Sequence, residues 1–250
     1  MDGKTIKIYK ERGETPLERL DRLREEKPEH AHKKLSYAGR LDPMAEGVML
    51  VLVGDANKER ERYLKYSKEY TFEILFGFET DTYDLLGLIN HFWIPNLSKE
   101  ITIKELQNVL EKFKGEINQE YPPYSSKTVK GKPLFEWARE GKLDKIKIPK
   151  HEVVVHEIKI LKERKISKSD LRREIITRIM QVKGDFRQKE IADKWDQALK
   201  KTEHEDFQIF KINIFVSSGT YIRVLCNDIG KEFGVSALAF NIKRDDVRTN

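Results

Sequence analysis

The sequence has a single cysteine, Cys226, among its 250 residues. One thiol excludes an intramolecular disulfide and a metal site built from several cysteines. The apolar runs all fall short of the roughly 20 residues that span a bilayer, and the start "MDGKTIKIYKERG" has no apolar signal region. The six histidines show no metal-ligand spacing, and a nucleotide-binding glycine loop is missing too. We therefore expect a cytoplasmic protein outside the membrane that holds neither a metal nor a cofactor.

Charge is abundant and slightly unbalanced. The chain carries 48 Lys and Arg against 42 Asp and Glu, which is a net charge of +6 at pH 7. Apolar residues make up 38% of the chain, enough to build a core, so the composition excludes an intrinsically disordered protein. The positive excess favours a polyanionic partner such as nucleic acid, although proteins of membrane surfaces share this bias.

The N-terminal part of the chain shows clear local signals. "KTIKIYK" alternates apolar and polar residues, which predicts a strand. A helix follows, because Thr15 suits the N-cap, Pro16 the first turn, and Glu18 completes a capping box. "VMLVLVG" is apolar without alternation, as is typical of a strand covered on both faces. Between helix and strand, residues 26–47 are predicted to form a long basic loop, and such loops in compact domains are usually functional.

A strongly charged segment, residues 161–205, separates two later strands. Apolar residues recur in it four positions apart, in two sets, which predicts a two-helix hairpin inserted between strands of the sheet. The two sets are Leu171, Ile175 and Ile179, and Ile191, Trp195 and Leu199. The hairpin is interpreted either as a solvated accessory element or as an additional arm that contacts nucleic acid and projects from one end of the sheet.

The stretch "GRLDPMAEG" places one carboxylate, Asp42, between two glycines and beside a proline, directly before the apolar strand. A carboxylate there caps a turn, binds a cation or attacks a substrate. A nucleophilic carboxylate must stay ionised, which requires a cationic partner that keeps its pKa low. Arg40 is close in sequence, and Arg223 in "SSGTYIRVL" follows a glycine-containing loop from which a guanidinium can reach inward. The residues alone leave the three roles open.

Four segments of the chain match one known family in the right order. They are "GRLDPMAEGVMLVLVGDANK", "KEYTFEILFGFETDTYDLLG", "PPYSSKTVKGKPLFEWAREG" and "SSGTYIRVLCNDIG". With "YKERGETPLERL" they resemble the tRNA pseudouridine synthase B family over nearly all of the chain outside 161–205. The resemblance implies a mixed α/β (α+β) fold with a twisted, largely antiparallel central sheet flanked by helices, and the helical hairpin inserted into it. It also implies an isomerase that acts on a uridine of the tRNA T-loop without metal or cofactor.

The resemblance carries site roles onto matching residues of this chain. Asp42 is the catalytic aspartate, which attacks either the uracil ring or the ribose C1′. Tyr70 in "KEYTF" stacks on the target uracil and assists a late proton transfer. Arg223 pairs with Asp42 and keeps it charged, and Asp84 in "TDTYD" holds Arg223 in turn. The residues expected to contact RNA or support the site are Lys33, Lys34, Tyr37, Arg40, Lys58 and Tyr221.

The chain departs from the family pattern at three places, of which Glu11, in place of the usual proline after Lys10, is expected to alter only a turn. Tyr37 stands where the family usually has a histidine that enters the T-loop, so the detail of loop capture is left open. The chain stops soon after "GVSALAFNIKRDDV", where family members commonly continue into a PUA-type RNA-binding domain. We therefore expect a single catalytic domain over 1–250 without a PUA domain, in which the 161–205 hairpin compensates by contacting RNA.

The resemblance leaves alternatives for substrate and chemistry. "GRLD" also resembles pseudouridine synthases of ribosomal RNA, but those lack "TDTYDLLG" and "PPYSSKTVKG". A non-catalytic tRNA-binding or tRNA-folding module would be expected to have lost a member of the charged set Asp42, Asp84 and Arg223, since an unneeded buried ion pair is often neutral or costly for stability. We expect a monomer that binds the T-arm of tRNA and uses no guide RNA, because guide-dependent relatives rely on the PUA domain.

Overall fold

The computed structural model describes residues 4–91 and 100–249. The strands in this part of the chain are β1 (Lys4–Lys10), β2 (Leu35–Tyr37), β3 (Ala45–Val53), β4 (Ser67–Phe76), β5 (Glu79–Thr80), β6 (Ile89–His91), β7 (Gly115–Glu120), β8 (Thr128–Val129), β9 (Lys132–Pro133), β10 (Lys150–Ser167), β11 (Asp206–Val216) and β12 (Ala237–Arg248). The α-helices are α1 (Pro16–Glu26), α2 (Arg60–Leu64), α3 (Ile103–Glu111), α4 (Leu134–Arg139), α5 (Lys168–Met180), α6 (Gln188–Lys201) and α7 (Ile222–Glu232). None of these described helices is both long and apolar enough to cross a membrane.

The predicted strand and helix at the N-terminus are confirmed. β1 coincides with "KTIKIYK", and α1 begins after Thr15, whose hydroxyl accepts the Glu18 N–H at 3.2 Å. The Glu18 carboxylate accepts the Thr15 N–H at 2.6 Å, so the capping box is complete. The predicted loop 26–47 is interrupted by β2, because Leu35 and the residues after it pair with β3 and cover its apolar side.

One sheet of eight strands organises the described chain. Seven of its strands follow the order β1-β3-β12-β4-β11-β10-β7, and β2 also pairs with β3. Every pair in it is antiparallel except β12 with β3, which run parallel at Ile242–Arg244. The expectation of a mixed fold with a largely antiparallel central sheet is confirmed.

The central strand β4 separates two apolar layers. On one face, Tyr70, Phe72, Ile74 and Phe76 pack with residues of α3 and α7, while Leu75 points into the layer on the opposite face. This alternation follows from the period of two in a strand. It places Tyr70 on the same side of the sheet as α7, the helix that carries the arginine of the predicted site.

The hairpin α5–α6 covers the opposite face of the sheet. Its two predicted apolar sets point inward, and Trp195 is fully buried with its ring 5.1 Å from that of Phe78. Strand β10 continues through Ser167, so residues 161–167 extend the sheet instead of starting the hairpin. The prediction of an arm projecting from one end of the sheet is therefore wrong. The apolar faces of α5 and α6 must be buried against another element, and the face of the sheet provides that surface.

Gly47 is required where β3 runs beside β12. Its φ is +116°, and a Cβ there would lie 2.2 Å from the Arg244 carbonyl oxygen. Gly115 at the start of β7 has a similar φ of +91°, but nothing lies within 4 Å of the Cβ that alanine would add. The two glycines share backbone strain and differ in the space around them.

We expect Gly115→Ala to lower the free energy of unfolding by about 1 kcal/mol, the cost of a positive φ for alanine. Gly47→Ala should lower it by at least about 3 kcal/mol, because the parallel strand pair must also move apart. Urea unfolding of both variants and the wild type measures the difference. Equal losses in the two variants would contradict the close approach of β12.

Candidate active site

Asp42 lies in the loop that joins β2 to β3. Its backbone carbonyl accepts the Ala45 N–H at 3.0 Å, which closes a tight turn immediately before the buried strand. The side chain is 35% exposed and borders a cavity of about 1120 Å³. A rigid apolar strand thus presents a partly accessible carboxylate to an open pocket.

Arg223 is the partner of Asp42. It lies in the first turn of α7, is 3% exposed, and donates from Nε to Asp42 Oδ2 at 2.8 Å. Its Nη1 donates to the Thr82 carbonyl at 2.7 Å and its Nη2 to the Tyr124 carbonyl at 3.3 Å. Burial disfavours the charge on Arg223, but the carboxylates of Asp42 and Asp84 outweigh it and raise the pKa of Arg223. Arg223 is therefore a fixed cation, and of the two partners considered for Asp42 it is the one in contact.

Asp84 completes the charged cluster. Its Oδ2 lies 3.7 Å from Arg223 Nε, and its Oδ1 accepts hydrogen bonds from the Thr82 hydroxyl at 2.6 Å and the Leu86 N–H at 2.9 Å. Burial raises the pKa of Asp84 to about 6, although Arg223 and the Thr82 hydroxyl act in the opposite direction. Asp84 is thus the titratable member of the cluster near neutral pH.

Two aromatic residues line the same cavity. Tyr70 on β4 is buried and faces the pocket that Asp42 and Arg223 border. Tyr221 directly precedes α7, where its N–H donates to Gln119 Oε1 at 2.7 Å. Burial, and then the charge of Asp42, raise the pKa of Tyr221. The cavity therefore combines a carboxylate with flat apolar surfaces.

Two buried cations of the cavity, Lys68 and Arg244, were not predicted from the sequence. Lys68 lies two residues before Tyr70 on β4, so the strand period could have placed it on the same face. Burial, and then the charge of Arg244, lower the pKa of Lys68 to about 8. Arg244 comes from β12 and donates to the Val48 and Gly39 carbonyls. No local sequence pattern predicts that Arg244 lies at the cavity, because its position depends on the parallel pairing of distant strands.

The predicted RNA-contacting residues divide into two groups. Arg40 lines the cavity beside Tyr221 and donates to the Ser126 hydroxyl at 2.9 Å. The others lie outside the cavity lining: Lys33 and Lys34 are exposed on the loop, Lys58 is 77% exposed and paired with Asp55, and Tyr37 packs against the apolar cluster under α1. Contacts of this second group with RNA stay predictions. A cluster of metal-ligating side chains is not found among the described residues.

The arrangement is suited to one kind of chemistry. A partly exposed carboxylate that is oriented by a buried guanidinium can act as a nucleophile. The neighbouring tyrosine ring can stack on a planar heterocyclic base, and the flanking cations can bind the phosphates of the nucleotide that carries the base. The site as built therefore fits a nucleotide base delivered to Asp42.

Solved structures of low sequence identity share the fold. A chain of a structure described as "Crystal Structure of a Cbf5-Nop10-Gar1 Complex" superposes with a TM-score of 0.57 at 18% identity, over 97% of this chain and 48% of that one. A second, "Structure of H/ACA RNP bound to a substrate RNA containing 2'-deoxyuridine", gives a TM-score of 0.54 at 17% identity, over 97% of this chain and 47% of that one. The described chain therefore shares the fold of these two structures.

Comparisons of sequence identify the protein family. Residues 27–184 match the model of the TruB family pseudouridylate synthase (N terminal domain). The tRNA pseudouridine synthase B of Caldanaerobacter subterraneus subsp. tengcongensis is 40% identical over 162 residues, covering 65% of this chain and 54% of that protein. The tRNA pseudouridine synthase B of Aquifex aeolicus is 28% identical over 98% of this chain and 68% of its own length. The chain belongs to the TruB family of pseudouridylate synthases, and it spans between about half and two thirds of the length of these relatives.

The Asp84→Asn variant tests the raised pKa of Asp84. Folding favours the protonated carboxyl, so its contribution to stability is complete below the ordinary value of 3.8 and is lost as the pH rises to about 6. Asparagine does not titrate, and its amide oxygen can still accept the Thr82 and Leu86 hydrogen bonds. We expect the melting temperature of the wild type, relative to that of Asp84→Asn, to fall across this pH range.

Thermal unfolding followed by circular dichroism at a series of pH values makes the comparison. Asp228→Asn is the control, since Asp228 lies on α7 with Arg223 but pairs with Lys231 away from the cavity. A difference between wild type and Asp84→Asn that stays constant with pH would contradict the raised pKa.

Proposed function

We propose that this chain is the catalytic part of an RNA-modifying isomerase that converts uridine to pseudouridine in tRNA. The observation that carries the proposal is the Asp42–Arg223 pair, 2.8 Å apart, at a cavity that Tyr70 also lines. Membership of the TruB family supports it, as do relatives named tRNA pseudouridine synthase B and, in Saccharomyces cerevisiae, tRNA pseudouridine synthase 4.

The reaction needs one nucleophile and no change of oxidation state. The N1–C1′ bond of uridine breaks, the uracil turns, and a C5–C1′ bond forms while C5 loses its proton and N1 gains one. The Asp42 carboxylate attacks either the uracil ring or the ribose C1′, and it leaves again when the new bond has formed. Arg223, which is 3% exposed, donates from Nε to Asp42 Oδ2 and so fixes the direction in which the carboxylate points.

The target base must leave its stack to reach this pocket. Base flipping costs a few kcal/mol, and stacking of a base on an aromatic ring offsets about 1–3 kcal/mol of that cost. Tyr70 presents such a ring on the sheet face beside Asp42. Lys68, Arg40 and Arg244 surround the same cavity and supply positive charge for the adjoining phosphates.

The substrate position proposed is the T-loop uridine at position 55 of standard tRNA numbering, bound through the T-arm. The side chains of Lys33 and Lys34 are exposed on the loop directly before β2, where their positive charge suits a folded RNA backbone. The protein is proposed to act as a monomer and to select tRNA by its own contacts, without a guide RNA. Ribosomal RNA as substrate and a non-catalytic tRNA-binding module are the alternatives that the test below separates.

Tritium release from C5-labelled uridine in an unmodified tRNA transcript tests reaction and nucleophile together. Asp42→Asn keeps the side-chain shape but removes the attacking charge, so we expect its rate to fall by at least about 10⁴-fold. Asp228→Asn, the matched carboxylate on α7, should release tritium at the wild-type rate. The modified position is then mapped in the product RNA.

The results distinguish the tRNA enzyme from the ribosomal RNA enzyme and from the non-catalytic module. Release at the T-loop uridine that is lost in Asp42→Asn supports the proposed function. Release in ribosomal RNA and not in tRNA would keep the chemistry and replace the substrate. Absence of release in both RNAs, with tight tRNA binding by the wild type, would identify a non-catalytic module.

A further inference from the structure

The turn between α5 and α6 reaches the cavity of the candidate active site. Asp185, Phe186 and Arg187 line the same cavity as Asp42 and Arg223, although α5 and α6 themselves pack on the opposite face of the sheet. The inserted hairpin therefore supplies part of the wall of the pocket, a position that its sequence pattern did not indicate.

Gly13 connects this turn to the loop that carries Asp42 through backbone hydrogen bonds. The Gly13 N–H donates to the Pro43 carbonyl at 2.9 Å, and the Gly13 carbonyl accepts the Lys183 N–H at 2.8 Å. The φ of Gly13 is +91°, and a Cβ at this position would lie 2.2 Å from the Gln181 carbonyl oxygen. Two backbone hydrogen bonds thus connect the turn with the residue directly after Asp42, and only glycine fits between them.

The turn is also rigid in itself. Gln188 Nε2 donates to the Val182 and Gly184 carbonyls at 2.9 and 2.6 Å, and Gln188 Oε1 accepts the Phe186 N–H at 2.9 Å. The Phe186 side chain packs against the apolar layer under the hairpin. Arg187 is therefore presented from a fixed backbone, so that a ligand contact costs little additional ordering.

The Arg187 guanidinium has hydrogen-bonding capacity left over. Its side chain is 36% exposed, its Nη2 donates to Asp81 Oδ2 at 3.4 Å, and it also hydrogen-bonds the Tyr124 hydroxyl, which leaves other N–H groups of the guanidinium for a ligand. That carboxylate already accepts the Leu88 N–H at 2.8 Å and the Tyr124 hydroxyl at 2.9 Å. The guanidinium also lies over the Tyr124 ring, 5.5 Å from its centroid.

We propose that Arg187 binds a backbone phosphate of the RNA next to the flipped nucleotide, so that the hairpin turn is a substrate-binding wall of the active site. A planar guanidinium with free N–H groups matches two phosphate oxygens at once. Asp81 and Asp185 face the same space, but the cavity lining carries six cationic side chains against four carboxylates, so an anion is still favoured there. This inference rests on the proposed function, since it takes RNA as the ligand.

Substitutions at Arg187 test the contact. Arg187 has a φ of +63°, so asparagine, which tolerates this conformation, removes the charge with little backbone strain. Arg187→Lys keeps the charge, and Arg173→Asn removes an equivalent charge from α5 at a side chain that is 74% exposed and paired with Asp170. Binding of an unmodified tRNA transcript is measured by fluorescence anisotropy at several salt concentrations, and thermal unfolding checks that each variant is folded.

We expect Arg187→Asn to raise the Kd about five- to tenfold and to reduce the slope of log K against log salt by about 0.7–0.9, the value of one phosphate contact. Arg187→Lys should keep the slope and weaken binding less than Arg187→Asn does, because the charge remains but the two-oxygen contact is lost, and Arg173→Asn should match the wild type. An unchanged Kd and slope in Arg187→Asn would overturn the proposal. Equal weakening by lysine and asparagine would overturn it as well, because it would assign Arg187 to the support of Tyr124 alone.

Tritium release by the wild type on the same transcript separates this inference from the proposed function. If the wild type releases no tritium while Arg187→Asn loses affinity and slope, the function fails and the phosphate contact stands. If the wild type is active while Arg187→Asn binds as the wild type does, the function stands and the phosphate contact fails.

Discussion

The buried charge of Arg223 is the constraint on which the site depends. A guanidinium with 3% exposure is costly to fold unless its charge is balanced and its N–H groups are bonded. Its acceptors come from three separate segments: Asp42 before β3, Thr82 and Asp84 after β5, and the Tyr124 carbonyl before β8. Each loop supplies part of the compensation, and Asp42, the proposed nucleophile, belongs to that structural set. The geometry proposed for catalysis is therefore coupled to folding stability through a single side chain.

The hairpin shows how an insertion can become part of a core. Its six apolar residues bury one face of the sheet with Phe78 and Phe207, and its turn closes the pocket from the side. An inserted element of this kind cannot be removed without exposing the sheet. Its turn also forms part of the pocket wall and thus sets the shape of the space that leads to Asp42.

Local patterns in the sequence identified much of this molecule. The capping box at Thr15, the strand β1 and the contact of Asp42 with Arg223 all follow from residues whose effect is local or whose motif is distinctive. Sequence patterns could not predict the face of the sheet on which the hairpin packs. They could not predict the position of Arg244 either. Both depend on how distant strands are ordered, and a periodic pattern indicates that a face is buried without indicating what covers it. Tyr37 illustrates the same limit, because its strand directs it toward the cluster under α1.

The position of β12 has a consequence for synthesis of the protein. This strand follows the other eleven strands of the described residues in the chain, yet it lies between β3 and β4 near the middle of the sheet. Until it leaves the ribosome, β1, β2 and β3 cannot join the remaining strands, and two apolar edges stay unpaired. Such late closure of non-local pairs slows folding and prolongs exposure to aggregation. The parallel pairing at Gly47, and the part of the pocket that Ile242 and Arg244 line, therefore form only after β12 has been synthesised.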